Sequence, residues 1–139
     1  LSVFQKNVDW AKAAESGVEF AVIRLGFRGY GTGALVEDNA FAQNAADAAN
    51  AGLTVGVYFY SQAVTEEEAA EEARFVVGGL HWAGSMYGIE ERAPLPVWLA
   101  SYGPVPALDR GVTLWQYSES GVVDGIEGPV DLDLWFTKE

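Results

Sequence analysis

Phe20–Tyr60, FAVIRLGFRGYGTGALVEDNAFAQNAADAANAGLTVGVYFY, is the stretch on which the fold of this chain turns. Its opening, Phe20–Leu25 (FAVIRL), is a nearly unbroken apolar run, as expected of a strand covered on both faces. Its close, Thr54–Tyr60 (TVGVYFY), reads the same way. Within Asp38–Ala51, Phe41, Ala45, Ala48 and Ala49 fall at i, i+4, i+7 and i+8, drawing one apolar stripe on a helix. Gly52 is the stop signal. Strand, helix and strand form a βαβ unit, which predicts a parallel pair and a right-handed crossover.

Outward from this unit the pattern continues and then degrades. Thr65 with Glu68 three residues later reads as a capping box, and the glutamates that follow Thr65 sit where the helix dipole favours them. Ala69, Ala73, Val76, Val77 and Leu80 are expected to form that helix's buried stripe. The Glu66–Glu72 run reads as its solvated face and not as a binding site. Residues 81–95 offer one short strand, Ser85–Ile89, and no helix. Strand-like runs return at Pro96–Ser101 and Val112–Tyr117, with a last one over Val130–Phe136. No repeat, low-complexity tract or linker interrupts residues 1–139, so a single α/β domain is expected.

At 139 residues, half of them hydrophobic and 13% aromatic, the chain can bury a real core. It is short for eight strand–helix units, which usually take about 200 residues or more. Eight basic residues against twenty acidic ones leave a net charge of −12. Such a surface repels phosphate backbones and anionic membranes, so neither nucleic acid nor membrane is an expected partner. The absence of cysteine excludes disulfides and thiol nucleophiles. No run approaches the roughly 18 apolar residues of a membrane span. No signal sequence opens the chain, and a start at Leu1 implies that the N-terminus was processed, cut or left out.

In parallel α/β architectures ligands meet the loops at the carboxyl ends of the strands. Those ends carry Tyr30, Tyr58, Tyr60, Tyr102 and Tyr117, with Trp98 and Trp115 nearby. Rings that stack on sugar C–H faces, beside amides and phenols, suit a glycan better than a nucleotide. About half of these aromatics are expected to be core. The cluster Gly29, Gly31, Gly33 lacks the G-x-G-x-x-G register and reads as a rim loop. His81 is the only histidine, and no nucleophile-elbow motif accompanies it. Asp131, Asp133, Glu90 and Glu91 show no metal-ligand spacing, so neither metal nor cofactor is expected. Glycoside hydrolysis instead needs two carboxyl groups about 5–10 Å apart. Asp131 and Asp133, in GPVDLDLW, share one strand face, and Glu90 follows the weak Ser85–Ile89 run.

With these residues in view, the chain resembles the family-25 glycoside hydrolases, the lysozyme-like muramidases. LSVFQ (Leu1–Gln5) with VDW (Val8–Trp10) is similar to that family's first strand and turn. GVEFAVIRLGFRGYGTG (Gly17–Gly33) is similar to its second strand and loop, and Asp38, Phe41 and Asn44 to its D-x-x-F-x-x-N helix start. AGLTVGVYFYSQAVTEEEAAEEARF (Ala51–Phe75), PVWLASY (Pro96–Tyr102) and LWQYSESGVVDGIEGPVDLDLW (Leu114–Trp135) match later elements in order.

The resemblance implies an irregular TIM-like (β/α) barrel missing its central strand–helix units. It implies cleavage of the β-1,4 bond between N-acetylmuramic acid and N-acetylglucosamine in peptidoglycan. Of the family's four active-site acids, the last matches Asp131. The first falls before Leu1. The Asp-x-Glu pair has its nearest string at Gly88-Ile89-Glu90, where Glu90 would be the general acid. Tyr58, Tyr60, Trp98, Tyr102 and Tyr117 are the expected sugar contacts. The family's fourth helix through sixth strand have no counterpart, which leaves either omitted central segments or a truly shortened chain. Omission is the expectation, because a barrel lacking several strands exposes a large apolar edge. The expected setting is extracellular or the cell wall, as a secreted or phage-encoded monomer acting on peptidoglycan strands. The competing readings are a non-catalytic wall-glycan-binding module and an engineered barrel fragment.

Overall fold

A computed structural model describes residues 1–5, 7–87, 97–102 and 112–136. The elements are α1 (Trp10–Glu15), β1 (Phe20–Arg28), β2 (Leu35–Glu37), α2 (Phe41–Asn50), β3 (Thr54–Tyr60), α3 (Glu66–Tyr87), β4 (Val97–Ala100), β5 (Val112–Gly121) and β6 (Val130–Trp135). The fold is mixed α/β. Among the described residues its strands hydrogen-bond as two three-stranded sheets, β2-β1-β3 and β4-β5-β6.

The expected βαβ unit is present: β1 and β3 pair in parallel, from Phe20 opposite Thr54 to Phe27 opposite Tyr60, with α2 between them in sequence. Alternation along β1 turns Ala21, Ile23 and Leu25 to one face, where they are buried with Phe41, Ala45 and Ala48 of α2. Val55, Val57 and Phe59 of β3 and Phe75 of α3 pack at the margin of this core. The opposite face, carrying Phe20, Val22 and Arg24, is only half-buried. The apolar run therefore has one closed face and one that meets the second sheet, not the two closed faces that its sequence suggests.

The turn after β1 explains the glycine cluster. Gly29 N–H donates to Ala34 O (2.8 Å), Gly33 N–H to Gly29 O (3.0 Å), and β2 pairs antiparallel with Gly26–Arg28. Gly31 and Gly33 adopt φ of +80° and +67°, which glycine reaches without a Cβ penalty. The loop is a hairpin with no helix N-terminus behind it. Neither β2 nor the short α1, capped by Asp9 accepting from Lys12 N–H at 3.2 Å, was signalled by apolar periodicity.

Helix α3 corrects two expectations. It runs without a break through Ser85, Met86 and Tyr87, where a strand was expected; Gly88 and Ile89 lie outside the described residues. Its inward side is also displaced. Ala69, Ala73 and Val77 are exposed, whereas Glu72 is buried and Phe75, Val76, Gly79 and Leu80 are half-buried. The reason is Arg28, whose buried guanidinium donates to Glu72 Oε1 (2.8 Å), Glu71 Oε2 (3.2 Å), Glu68 O (2.9 Å) and Gly33 O (2.6 Å). A buried cation demands a paired anion, and that demand sets the rotation of the helix. Gly79 then lies where a Cβ would strike the buried Leu25 side chain. At the start of α3, Thr65 Oγ1 caps Glu68 N–H at 3.2 Å, and the Glu68 carboxylate accepts from Val64 N–H at 2.8 Å. The box is present, with its return bond one residue early.

The second sheet is built from β4 parallel to β5 and β6 antiparallel to β5. Its register shifts at Gln116–Ser118 and again at Ser118–Gly121 bring Val130 opposite Gly121, so β6 begins beside the carboxyl end of β5. The two sheets meet edge to face at Phe20–Trp135 and at Tyr58–Trp98, with ring centroids 5.6 Å apart in each case. A bridge from Val8 to Ile126 ties the N-terminal segment to the loop before β6.

Candidate functional site

A cleft of about 570 Å³ runs between β1 and β6, lined among others by Leu1, Val22, Trp98, Tyr117, Asp131 and Asp133. Its β1 wall is extended by Leu1, whose nitrogen donates to Val22 O (2.9 Å) and whose carbonyl accepts from Arg24 N–H (2.8 Å). Its other wall is β6. That strand is continuous from Val130 to Trp135, so Asp131 and Asp133 both line the cleft, two residues apart on one face. Asp131 is exposed and Asp133 half-buried.

Asp133 accepts from Trp98 Nε1 at 3.0 Å. The pairing crosses a strand: Trp98 is opposite Leu114 and Asp133 opposite Gln116, both on β5. Burial pushes the Asp133 carboxyl up from its ordinary value, and the charge of Asp131 adds to the rise. The Trp98 hydrogen bond and the positive charge at Leu1 oppose it. The ring of Trp98, 37% exposed, packs edge-on against Tyr58. Burial likewise raises the Tyr58 phenol.

Around this centre the neighbouring rings are individually held. Gln116, buried, donates through Nε2 to Tyr102 Oη at 2.9 Å, and Trp115 Nε1 donates to Ser101 O at 2.9 Å. Tyr117 tilts against Trp115 with centroids 5.9 Å apart. Tyr102 and Tyr60 are 52% and 59% exposed, open enough for a ligand face. The structure therefore brings Trp98, Tyr117 and Asp131 to one cleft, sets Tyr58 edge-on against Trp98, places Tyr102 beside the cleft through Gln116, and leaves Tyr60 at the outer end of β3. Glu90 lies outside the described residues. Tyr30, 91% exposed, sits on the β1–β2 hairpin.

Two groups near the cleft escaped the sequence reading of candidate residues. Arg24, the one charge inside the FAVIRL run, pairs with the buried carboxylate of Asp38 at 2.7 Å and lies over the Phe4 and Phe27 rings at 5.2 and 5.1 Å. Asp38 also accepts from Val3 N–H (3.2 Å) and Ala40 N–H (2.9 Å), so one carboxylate fixes the Leu1 segment, β1 and the start of α2 together. The available signal was the charge itself, since an arginine in a covered strand needs a buried partner. Among the described residues no group of three or more His, Cys, Asp or Glu side chains is placed to hold a metal ion. No helix among them is long and apolar enough to cross a membrane.

The sequence model of glycosyl hydrolases family 25 matches residues 1–86. The autolytic lysozyme of Clostridium acetobutylicum is 50% identical over 40 residues, 28% of this chain but only 12% of that protein. The catalytic domain of endolysin ply40, from bacteriophage P40 of Listeria monocytogenes, shares the fold with a TM-score of 0.76 at 16% identity, covering 99% of this chain and 91% of that one. The bacterial lysozyme of Streptomyces coelicolor gives 0.65 at 19% identity, covering 97% and 89%. The modular autolysin LytC of Streptococcus pneumoniae gives 0.75 at 20% identity, covering 98% of this chain and 45% of that one; it has also been solved with a synthetic peptidoglycan ligand. At these identities the likeness is one of fold. The family match takes in more than half of the 139 residues, and by it this chain belongs to glycosyl hydrolases family 25.

Proposed function

We propose that the cleft between β1 and β6 binds a peptidoglycan strand and hydrolyses its β-1,4 bond between N-acetylmuramic acid and N-acetylglucosamine. The observation that carries this reading is the convergence of Asp131, Trp98 and Tyr117 on one cleft, with Tyr58 edge-on against Trp98. In this reading the rings accept sugar C–H faces, Asp131 stabilises the developing oxocarbenium charge, and Glu90 is the general acid. The six strands among the described residues then represent a TIM-like barrel lacking its central units. The place of action is the cell wall, outside the cytoplasm, and the working form is a monomer.

The test is clearing of a bacterial wall suspension. Wild-type protein is expected to lower turbidity, and Asp131→Asn to slow clearing by at least about 100-fold, the scale of losing a reacting carboxyl group. Clearing by Asp131→Asn at the wild-type rate would remove Asp131 from the reaction.

A second reading, a wall-glycan-binding module without hydrolysis, is favoured by one observation. The paired carboxylates of the cleft, Asp131 and Asp133, sit on the same strand face, whereas hydrolysis uses carboxyl groups that flank the bond. Retention on insoluble peptidoglycan without clearing supports this module.

A further inference from the structure

We propose that Asp133 is a positioning residue that sets the orientation of Trp98, and with it the platform presented to a wall sugar. The proposal rests on the glycan-binding reading above. Its physical basis is separate, and lies in the contact between two strands that are not neighbours. β4 and β6 are held apart by β5, so Trp98 and Asp133 are separated by two strand spacings, about 9–10 Å of backbone. The two side chains together bridge that distance, the indole nitrogen meeting the carboxylate at 3.0 Å. An indole has one donor, and a partly exposed ring without a partner for it samples several rotamers. Here the nitrogen is fixed at one end and the ring is held edge-on by Tyr58 at the other. Two restraints on one plane narrow the poses open to the ring, which is 37% exposed and lines the cleft.

The groups facing Asp133 accord with an orienting role. Gln116 lies opposite it on β5 and directs an amide N–H to Tyr102 Oη, while the side-chain donor that Asp133 meets is Trp98. Asp131 on its own strand and the amino group at Leu1 act on it through charge alone. Trp98 is thus the ring donor that Asp133 meets, while Asp131 lines the cleft and is exposed.

The experiment compares Asp133→Asn, which keeps an oxygen acceptor, with Asp133→Leu, which keeps the volume and removes it. The first readout is the Trp98 indole N–H resonance, assigned through Trp98→Phe. It is expected to stay downfield in Asp133→Asn and to move to the solvent-exposed indole position in Asp133→Leu. The second is turnover and retention on insoluble peptidoglycan. Asp133→Leu is expected to raise KM or weaken retention about tenfold, the size of one misplaced contact, with a smaller change in kcat. Asp133→Asn is expected to recover most of the loss. Trp98→Phe, which keeps a ring without the donor, is expected to weaken retention as Asp133→Leu does, so the inference survives a folding failure of the leucine variant. An unmoved indole resonance in Asp133→Leu overturns the proposal. So does a loss of kcat with KM intact in both Asp133 variants, since the carboxylate would then be reacting and not positioning. A wild-type chain that neither clears nor is retained overturns the glycan reading alone, because the indole resonance still reports on the pair.

Discussion

The sheet β2-β1-β3 and the sheet β4-β5-β6 have equal strand numbers and are stabilised by different means. The first lies against α2 and α3, buries Phe41, Ile23 and Leu25 to 2% exposure or less, and locks α3 through the Arg28 cluster. The second has only Leu114, Trp115 and Val130 as buried apolar residues among those described. It is fastened by single ring donors and amides: Trp98 to Asp133, Trp115 to Ser101, Gln116 to Tyr102. The candidate site residues Trp98, Tyr117 and Asp131 lie on the second. The apolar burial is concentrated in one region and the lining of the candidate cleft draws mainly on the other.

The sharpest way to break this contrast is to remove one ring from each side. Phe41→Ala is expected to cost about 3–5 kcal/mol in urea unfolding, as a fully buried aromatic in a close-packed core. Trp98→Ala is expected to cost about 1 kcal/mol, chiefly its edge-to-face contact with Tyr58, while impairing wall retention strongly. Equal costs would mean that the two sheets share one cooperative core.

A second, smaller effect concerns the Arg28 cluster. Burial alone would raise the Glu72 carboxyl, but hydrogen bonds from Ser61, Arg28 and Gln62 N–H, with the Arg28 charge, hold it below its ordinary 4.5. A carboxyl lowered in the folded state adds stability that is fully present above that ordinary value and is lost as pH falls through the lowered one. Unfolding midpoints of the wild type are therefore expected to drop in acid below about pH 4.5. Glu72→Gln is expected to be less stable at neutral pH and to show a flatter acid limb. An unchanged acid limb would place the acid sensitivity outside the Arg28 cluster.

The smallest effect sharpens the same contrast at a helix end. Thr65→Ala is expected to cost about 1 kcal/mol through loss of the cap on Glu68 N–H. Because α3 belongs to the first region, clearing of wall suspensions by the folded variant should be unchanged at 25 °C.

What was legible in the sequence follows the same division. The βαβ unit announced itself because Ile23, Leu25, Phe41 and Ala45 are apolar for one reason, burial against each other. The α3 face was misread because its phase is set by Glu72, a charge that periodicity rules assign to solvent and that Arg28 draws inward. The short strand β2 carries no pattern of its own; it exists because β1 offers an edge at Gly26–Arg28 and the glycine hairpin returns the chain to it. At the site, Asp131, Trp98 and Tyr117 were legible from strand ends and family motifs. The Trp98–Asp133 pairing was not, because it depends on which strand separates the two, and strand order in space is not written in local sequence.

The direction of β6 has a practical consequence. Since this strand enters from the carboxyl end of β5, Asp131 is its second residue, and the stretch from Val122 to Pro129 feeds directly into it. That stretch is anchored by Asp9 N–H donating to Gly125 O (2.7 Å) and by the Val8–Ile126 bridge. Insertions made between Ile126 and Pro129 would shift the acid itself, whereas insertions before Val123 would leave it moored to α1. Protein engineers wishing to graft new recognition segments onto this scaffold should cut upstream of that mooring.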